Sequence, residues 1–225
     1  MDTPTAQPAK LTVWDLPTRL FHWMLVGLIG FSWWTAEQGQ DDLHFYSGYG
    51  VLTLLIFRLL WGFFGSSTAR FSSFVRGPQA IANYMGKMRT WQGVGHTPLG
   101  ALSVLALLGL LFVQVGTGLV QTDDDGLVEG PLASLVSFDV SDAAHDLHEV
   151  TFNLLLVLIG LHIAAIIFYR VALGKKLLGP IVTGKAKLGS SAEAMRPGKG
   201  WVAVLCLIAG IAVTRWIIAG APPLG

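Results

Sequence analysis

Apolar residues in this chain are gathered into five long blocks: Leu20–Ala36, Leu43–Phe64, Thr97–Val120, Leu147–Leu173 and Trp201–Ala219. A bilayer core ~30 Å thick is crossed by ~20 apolar residues in helical form. Inside lipid, only helices and closed barrels satisfy every backbone polar group. The blocks are too long and too continuously apolar for barrel strands, so the pattern predicts five membrane helices. Hydrophobic residues make up 52% of the chain and charged residues only 13%. A soluble domain carries roughly a quarter charged residues; a very apolar soluble protein would share this composition, but not apolar residues gathered into such long blocks.

The polar connections are sorted by sign. Ser66 to His96 carries Arg70, Arg76, Lys87 and Arg89 and no acid. The stretch after the fourth block carries Arg170, Lys175, Lys176, Lys185, Lys187, Arg196 and Lys199 against Glu193 alone. The other two connections are acidic. Glu37, Asp41 and Asp42 follow the first block, and Asp123, Asp124, Asp125, Glu129, Asp139, Asp142 and Asp146 lie between the third and fourth, with no Lys or Arg among them. Basic loops stay in the cytoplasm. The expected topology is therefore N-terminus inside, with both acidic connections and the C-terminus outside. Trp33, Trp34, Trp91 and Trp201 fall near span ends, where interfacial aromatics belong.

The first residues, MDTPTAQPAK, carry no signal-peptide pattern, and the first block lacks a small-residue cleavage site after it. The single cysteine, Cys206, cannot form an internal disulfide, and no C-x-x-C-H haem-attachment motif is present. Gly77–Trp91 reads as an amphipathic segment on the inner surface. Residues 179–200, rich in Gly, Ser, Lys and Pro, read as a flexible cytoplasmic linker. The expected division is a membrane domain over 1–178, the linker, and an added transmembrane helix over 201–219.

Chemistry enters with the histidines. HEVTFNLLLVLIGLH, residues 148–162, begins and ends on imidazole. Fourteen helical residues rise ~21 Å and turn through nearly four revolutions, so His148 and His162 share a face, one near each membrane surface. His22 begins the first helix at the inner side, and His44 begins the second at the outer side. Depth therefore pairs His22 with His162 and His44 with His148. Ionisable groups in membrane spans are rare and face the bundle interior. Zinc wants four ligands, whereas two facing imidazoles suit the axial positions of a haem iron. The expectation is two bis-histidine b haems doing electron transfer.

Gly48, one turn past His44, leaves room for a macrocycle beside the second helix. Gly27, Gly30, Gly116, Gly118 and Gly160 could serve likewise. Arg58, fourteen residues after His44, and Arg19, one turn before His22, are the expected propionate partners. His96 is a weaker candidate, for a quinone site or a propionate, and His145 reads as solvated.

These motifs resemble the bacterial di-haem cytochrome b561 family and the related b-type cytochrome subunit of membrane-bound nickel–iron hydrogenases. The match lies in RLFHW at 19–23, HFYSG at 44–48 with Arg58 beyond it, and LHEVTFNLLLVLIGLH at 147–162. VGHTP at 94–98 is similar to an element of the hydrogenase-associated branch, as is VTGKAK at 182–187, more loosely. The resemblance covers roughly residues 11–187. It implies an all-α four-helix transmembrane bundle holding two haems, here with a fifth C-terminal helix, that passes electrons between a redox partner and the quinone pool. Ubiquinone or menaquinone is then the lipid-phase substrate. The partner is a c-type cytochrome or a dehydrogenase or hydrogenase subunit, and nothing calls for nucleic acid. Two alternatives carry over from the family: superoxide:quinone oxidoreductase activity, which acidic outer loops disfavour, and a non-catalytic haem-bearing anchor for a hydrogenase or dehydrogenase.

Overall fold

The computed structural model describes residues 9–91, 93–123, 125–188 and 193–222. The first eight residues, Asp124 of the acidic loop and residues 189–192 of the linker lie outside that set. Five long helices carry the fold: α1 (Leu16–Glu37), α2 (Asp41–Phe64), α5 (Pro98–Val120), α6 (Phe138–Val171) and α8 (Gly200–Ile218). Between α2 and α5 lie the short α3 (Phe71–Phe74) and α4 (Pro78–Met85). A single 3-10 turn, Ala133–Leu135, precedes α6. Strand β1 (Ala9–Thr12) and, after α7 (Leu178–Thr183), strand β2 (Lys185–Leu188) form an antiparallel pair.

Helix starts follow local chemistry. Asp15 caps α1, accepting from the Thr18 amide at 2.7 Å, with Pro17 in the first turn. Thr97 caps α5 by accepting from the Gly100 amide, with Pro98 opening the helix. Proline costs nothing there because the first helical N–H groups have no intrahelical partner.

Four of the five expected spans, α2, α5, α6 and α8, are long and apolar enough to cross a membrane. At 22 residues α1 is long enough, but His22, Trp23, Trp33, Trp34 and Glu37 make it less apolar than the other four. Helix α6 differs most from its expected bounds. It starts nine residues before Leu147, and at 34 residues it is about 51 Å long, well beyond the ~30 Å of a bilayer core. The added turns carry Asp139, Asp142 and Asp146, too polar to register as a lipid-facing block. They are held by the Ser141 hydroxyl, which donates to the Val120 carbonyl at 2.7 Å and lies 2.6 Å from the Thr122 hydroxyl.

Helix α2 is the spine, with Val51, Leu54, Leu55, Phe57 and Trp61 in the main core cluster. α1 and α8 both pack along it, and α5 packs along α6. Small residues permit the close approaches. A Cβ on Gly50 would sit 3.0 Å from Leu28 of α1, and one on Gly210 of α8 would sit 2.8 Å from the Thr53 carbonyl. The Thr53 hydroxyl also donates to that of Thr214 at 2.9 Å.

The expected flexible linker is structured over much of its described length. Its strand β2 pairs with β1, the Met195 amide donates to the Thr12 carbonyl at 3.0 Å, and the Ser67 amide donates to the Arg196 carbonyl at 3.0 Å. Composition suggested a tether because Gly, Ser and Lys dominate; the pairing partner is the N-terminal segment, nearly two hundred residues away, which local composition cannot reveal.

Candidate functional site

The four candidate histidines lie on three helices, His22 on α1, His44 on α2, and His148 and His162 on α6. His44 and His148 come together with ring centroids 6.1 Å apart and planes at 80°. Each uses its Nδ1 in the same way. His44 Nδ1 lies 2.9 Å from the Ser32 carbonyl, and His148 Nδ1 lies 2.9 Å from the Gln114 carbonyl. A carbonyl only accepts, so each Nδ1 carries the proton and each Nε2 keeps its lone pair. The Ser32 and Thr117 hydroxyls lie a further 3.2 Å from the same two nitrogens. Metal-bound imidazoles are oriented by this kind of hydrogen bond on the other ring nitrogen.

The spacing fits one shared iron. Two imidazole nitrogens, each at about 2 Å from a metal on opposite axial sides, set their ring centroids about 6 Å apart. Among the described residues no three His, Cys, Asp or Glu side chains converge as a metal site. The donor set is therefore a pair, which suits an iron whose other four positions belong to a porphyrin.

The other pair is less complete. His162 Nδ1 lies 3.3 Å from the Ser103 hydroxyl of α5. His22 Nδ1 is buried with no partner among the described residues.

Glycines divide by role. Gly48 has nothing within 4 Å of where a Cβ would be, so space lies beside α2 one turn from His44; Gly27, Gly30, Gly116 and Gly160 are equally open. Gly118 differs, since a Cβ there would come within 2.9 Å of His148 Cε1. It admits the imidazole itself, and no room for a macrocycle is left at that point.

The two arginines part company. Arg58 is 3% exposed, stacks over Phe71 at 4.8 Å, and leaves Nη1 buried with no partner among the described residues. A buried cation in that state fits an anionic group. Arg19 instead donates from Nη1 to the Val182 carbonyl of α7 at 2.6 Å, though its Nε is buried with no partner among the described residues.

His96 is wedged against Trp14 (centroids 4.6 Å) and Phe74 (4.3 Å). Burial, and then the Arg58 charge, push its pKa down to about 3. It borders a polar cavity of about 430 Å³ that Arg70, Ser73 and Arg196 also line. His145 was expected in water, yet its Nδ1 is buried, with no partner among the described residues.

Sequence reading missed the residues that aim the rings. Gln114 and Thr117 carried a signal, as polar residues in the apolar α5. Ser32, beside two tryptophans, carried almost none, because the backbone carbonyl does the work at both positions.

A family model described as prokaryotic cytochrome b561 matches residues 13–184. No curated protein and no solved structure gives a significant match.

Proposed function

Since the chain belongs to the prokaryotic cytochrome b561 family and is a membrane b-type cytochrome of electron transfer, we propose that it works through two bis-histidine haems, one held by His44 and His148 and one by His22 and His162. Each haem supplies a one-electron iron couple when bound. His44 and His148 would hold one iron through Nε2, since each Nδ1 is tied to a carbonyl, and His22 and His162 would hold the other. The observation that carries this reading is the outer pair: two rings 6.1 Å apart, each with Nδ1 tied to a carbonyl. Gly48 gives the outer macrocycle its space beside α2. Arg58 and Arg19, with unpartnered buried nitrogens, hold propionates of the inner haem.

On this reading α1 is a fifth span, residues 1–178 carry both haems, and the acidic loops face the periplasm. Electrons pass between a redox partner at that face and the quinone pool. Oxidation of a quinol releases two electrons and two protons, and the electrons would leave singly through the groups that the four histidines would hold. Partner docking is supported by the outer cap. Leu127 is 83%, Leu135 62% and Phe138 69% exposed, amid acidic residues. Phe138 stands about 15 Å beyond His148 along α6, so lipid tails do not cover it. A c-type cytochrome or a hydrogenase or dehydrogenase subunit with a basic rim fits there. Superoxide, an anion, is repelled by the same charges.

The test is pyridine haemochrome stoichiometry on purified protein. Wild type should hold two b haems per chain. His44→Ala or His148→Ala should remove one of them, and His22→Ala or His162→Ala the other. A stoichiometry of one, or the same haem lost from all four variants, defeats the assignment.

A further inference from the structure

The polar cavity of about 430 Å³ is lined by none of the four candidate histidines. Its walls come from residues 67–74, residues 193–196, Val94 and His96. Helix α2 ends at Phe64 and α8 begins at Gly200, and both are long and apolar enough to cross a membrane. A cavity built from residues just beyond both ends lies in the headgroup layer that flanks the hydrocarbon. An apolar path leads to it. Phe63 and Phe64 are 61% and 65% exposed on the last turn of α2. The Phe63 ring meets Phe71 at 5.6 Å, Phe71 meets Phe74 at 5.8 Å, and Phe74 lines the cavity.

The donors inside suit an anion. Arg70 donates from Nε to the Gly65 carbonyl at 3.1 Å, leaving both Nη groups without a partner among the described residues. The Ser67 hydroxyl accepts from the Arg196 amide at 2.9 Å, so its own proton remains to be donated. His96 Nδ1 is buried with no partner among the described residues. Arg196 reaches Glu193 at 3.9 Å, with the two side chains 83% and 88% exposed. An ion pair so long and so well hydrated holds little, and Arg196 can turn to a better anion. Arg76, donating to the Ser73 carbonyl at 3.1 Å, adds positive charge beside the wall.

The geometry points to a phosphate site: the cavity holds the headgroup phosphate of a phospholipid, gripped by Arg70 and Arg196, with Ser67 and His96 donating beside them. The site stands apart from the haem assignment. Guanidinium forks match pairs of phosphate oxygens, and a lipid phosphate is the anion already present at this depth. Its acyl chains then lie along Phe63 and Phe64. A free phosphate would meet the same donors and leave that aromatic approach unused. An acyl tail alone would leave the arginines and the buried imidazole unmatched.

The experiment is native mass spectrometry of the purified haem-loaded protein, stripped of lipid in detergent. It is titrated with dioleoylphosphatidylglycerol, with inorganic phosphate, and with dioleoylglycerol, which lacks the phosphate. Wild type should bind the phospholipid roughly tenfold or more above dioleoylglycerol. Ser72→Glu puts a carboxylate on the wall at an exposed position, and should weaken phospholipid binding by a similar factor. Arg70→Gln combined with Arg196→Gln should do the same, and Ser72→Glu decides the case should the double variant lose its native circular dichroism. Arg89→Gln removes an exposed cation that does not line the cavity and should change nothing. Equal binding by all variants, or an equal loss in Arg89→Gln, would overturn the site. Dioleoylglycerol held as tightly as the phospholipid would show that no anion is recognised. Inorganic phosphate held as tightly would make the ligand a soluble phosphate and overturn the lipid.

Discussion

At the residue scale the outer pair depends on one missing side chain. His148 can lie against α5 only because position 118 is glycine, where a Cβ would approach the imidazole to 2.9 Å. Gly118→Leu cannot be accommodated without swinging the ring off the Gln114 carbonyl. The variant should bind one haem in place of two, with the inner haem's low-spin signal intact by electron paramagnetic resonance; two unaltered signals would show that the ring has freedom the packing denies it. His96 yields a second prediction at this scale. Its pKa lies at about 3, below the ordinary 6.5, because burial disfavours the charged form and Arg58 repels it. The unfolded chain therefore binds a proton that the folded chain refuses between pH 6.5 and 3. The resulting stability is complete above 6.5 and is lost as pH falls toward 3. The loss is on the order of a few kcal/mol over the whole window. Thermal unfolding midpoints in detergent should fall between pH 6.5 and 4.5. His96→Phe, which suits the nest of Trp14 and Phe74, should flatten that slope. An equal slope in both proteins would mean that His96 is not held neutral.

At the scale of elements, part of the segment expected to be amphipathic over Gly77–Trp91 is helical, as α4, and it is anchored by Tyr169 of α6 and by Lys175 in the connection that follows α6. Lys175 donates to the carbonyls of Met88 at 2.7 Å and Trp91 at 3.0 Å, and its ammonium lies 5.6 Å from the Trp91 ring. The phenols of Tyr84 and Tyr169 meet at 2.7 Å, and burial, with that bond, pushes the Tyr84 pKa up. Lys175→Met keeps the apolar stem and removes the donors. In inside-out vesicles it should speed tryptic cleavage after Lys87 and Arg89 several-fold, and an unchanged digestion pattern would place the restraint in the tyrosine pair alone. The same elements mark how far the sequence could be read. Long helices were legible because lipid imposes one rule on every residue in a span, and the meeting of His44 with His148 followed from helix rise together with the direction of each span. The outer end of α6 was not legible, since Asp139, Asp142 and Asp146 break the apolar run while the backbone continues helical. Nor was the β1–β2 pair, whose stabilising contacts are made at long range. The second role of Gly118 was hidden too: a glycine says that something comes close, not whether it is a porphyrin or an imidazole.

For the whole molecule, the decisive property is the sorting of charge along the membrane normal. Net charge is only +1, yet the proposed topology puts Arg70, Arg76, Lys87, Arg89, Lys175, Lys176, Lys185 and Lys187 at one end. The other end bears Glu37, Asp41, Asp42, Asp125, Glu129, Asp139, Asp142 and Asp146. Asp139, Asp142 and Asp146 are exposed and follow helical spacing, so they form one negative stripe on the part of α6 that rises beyond the lipid. Such a stripe draws a cationic partner toward the outer haem from a distance set by ionic screening, ~30 Å at 0.01 M salt and ~10 Å at 0.1 M. The rate of electron exchange with a lysine-rich c-type cytochrome should therefore fall roughly tenfold or more between these conditions. Replacing the three aspartates with lysine should lower the rate at low salt and leave it nearly unchanged at high salt, where apolar contact through Leu127, Leu135 and Phe138 sets the encounter. A stopped-flow rate indifferent to salt would remove steering from the account. A rate rising with salt would mean that the partner meets the basic end, and the proposed orientation of every helix in the membrane would have to be reversed.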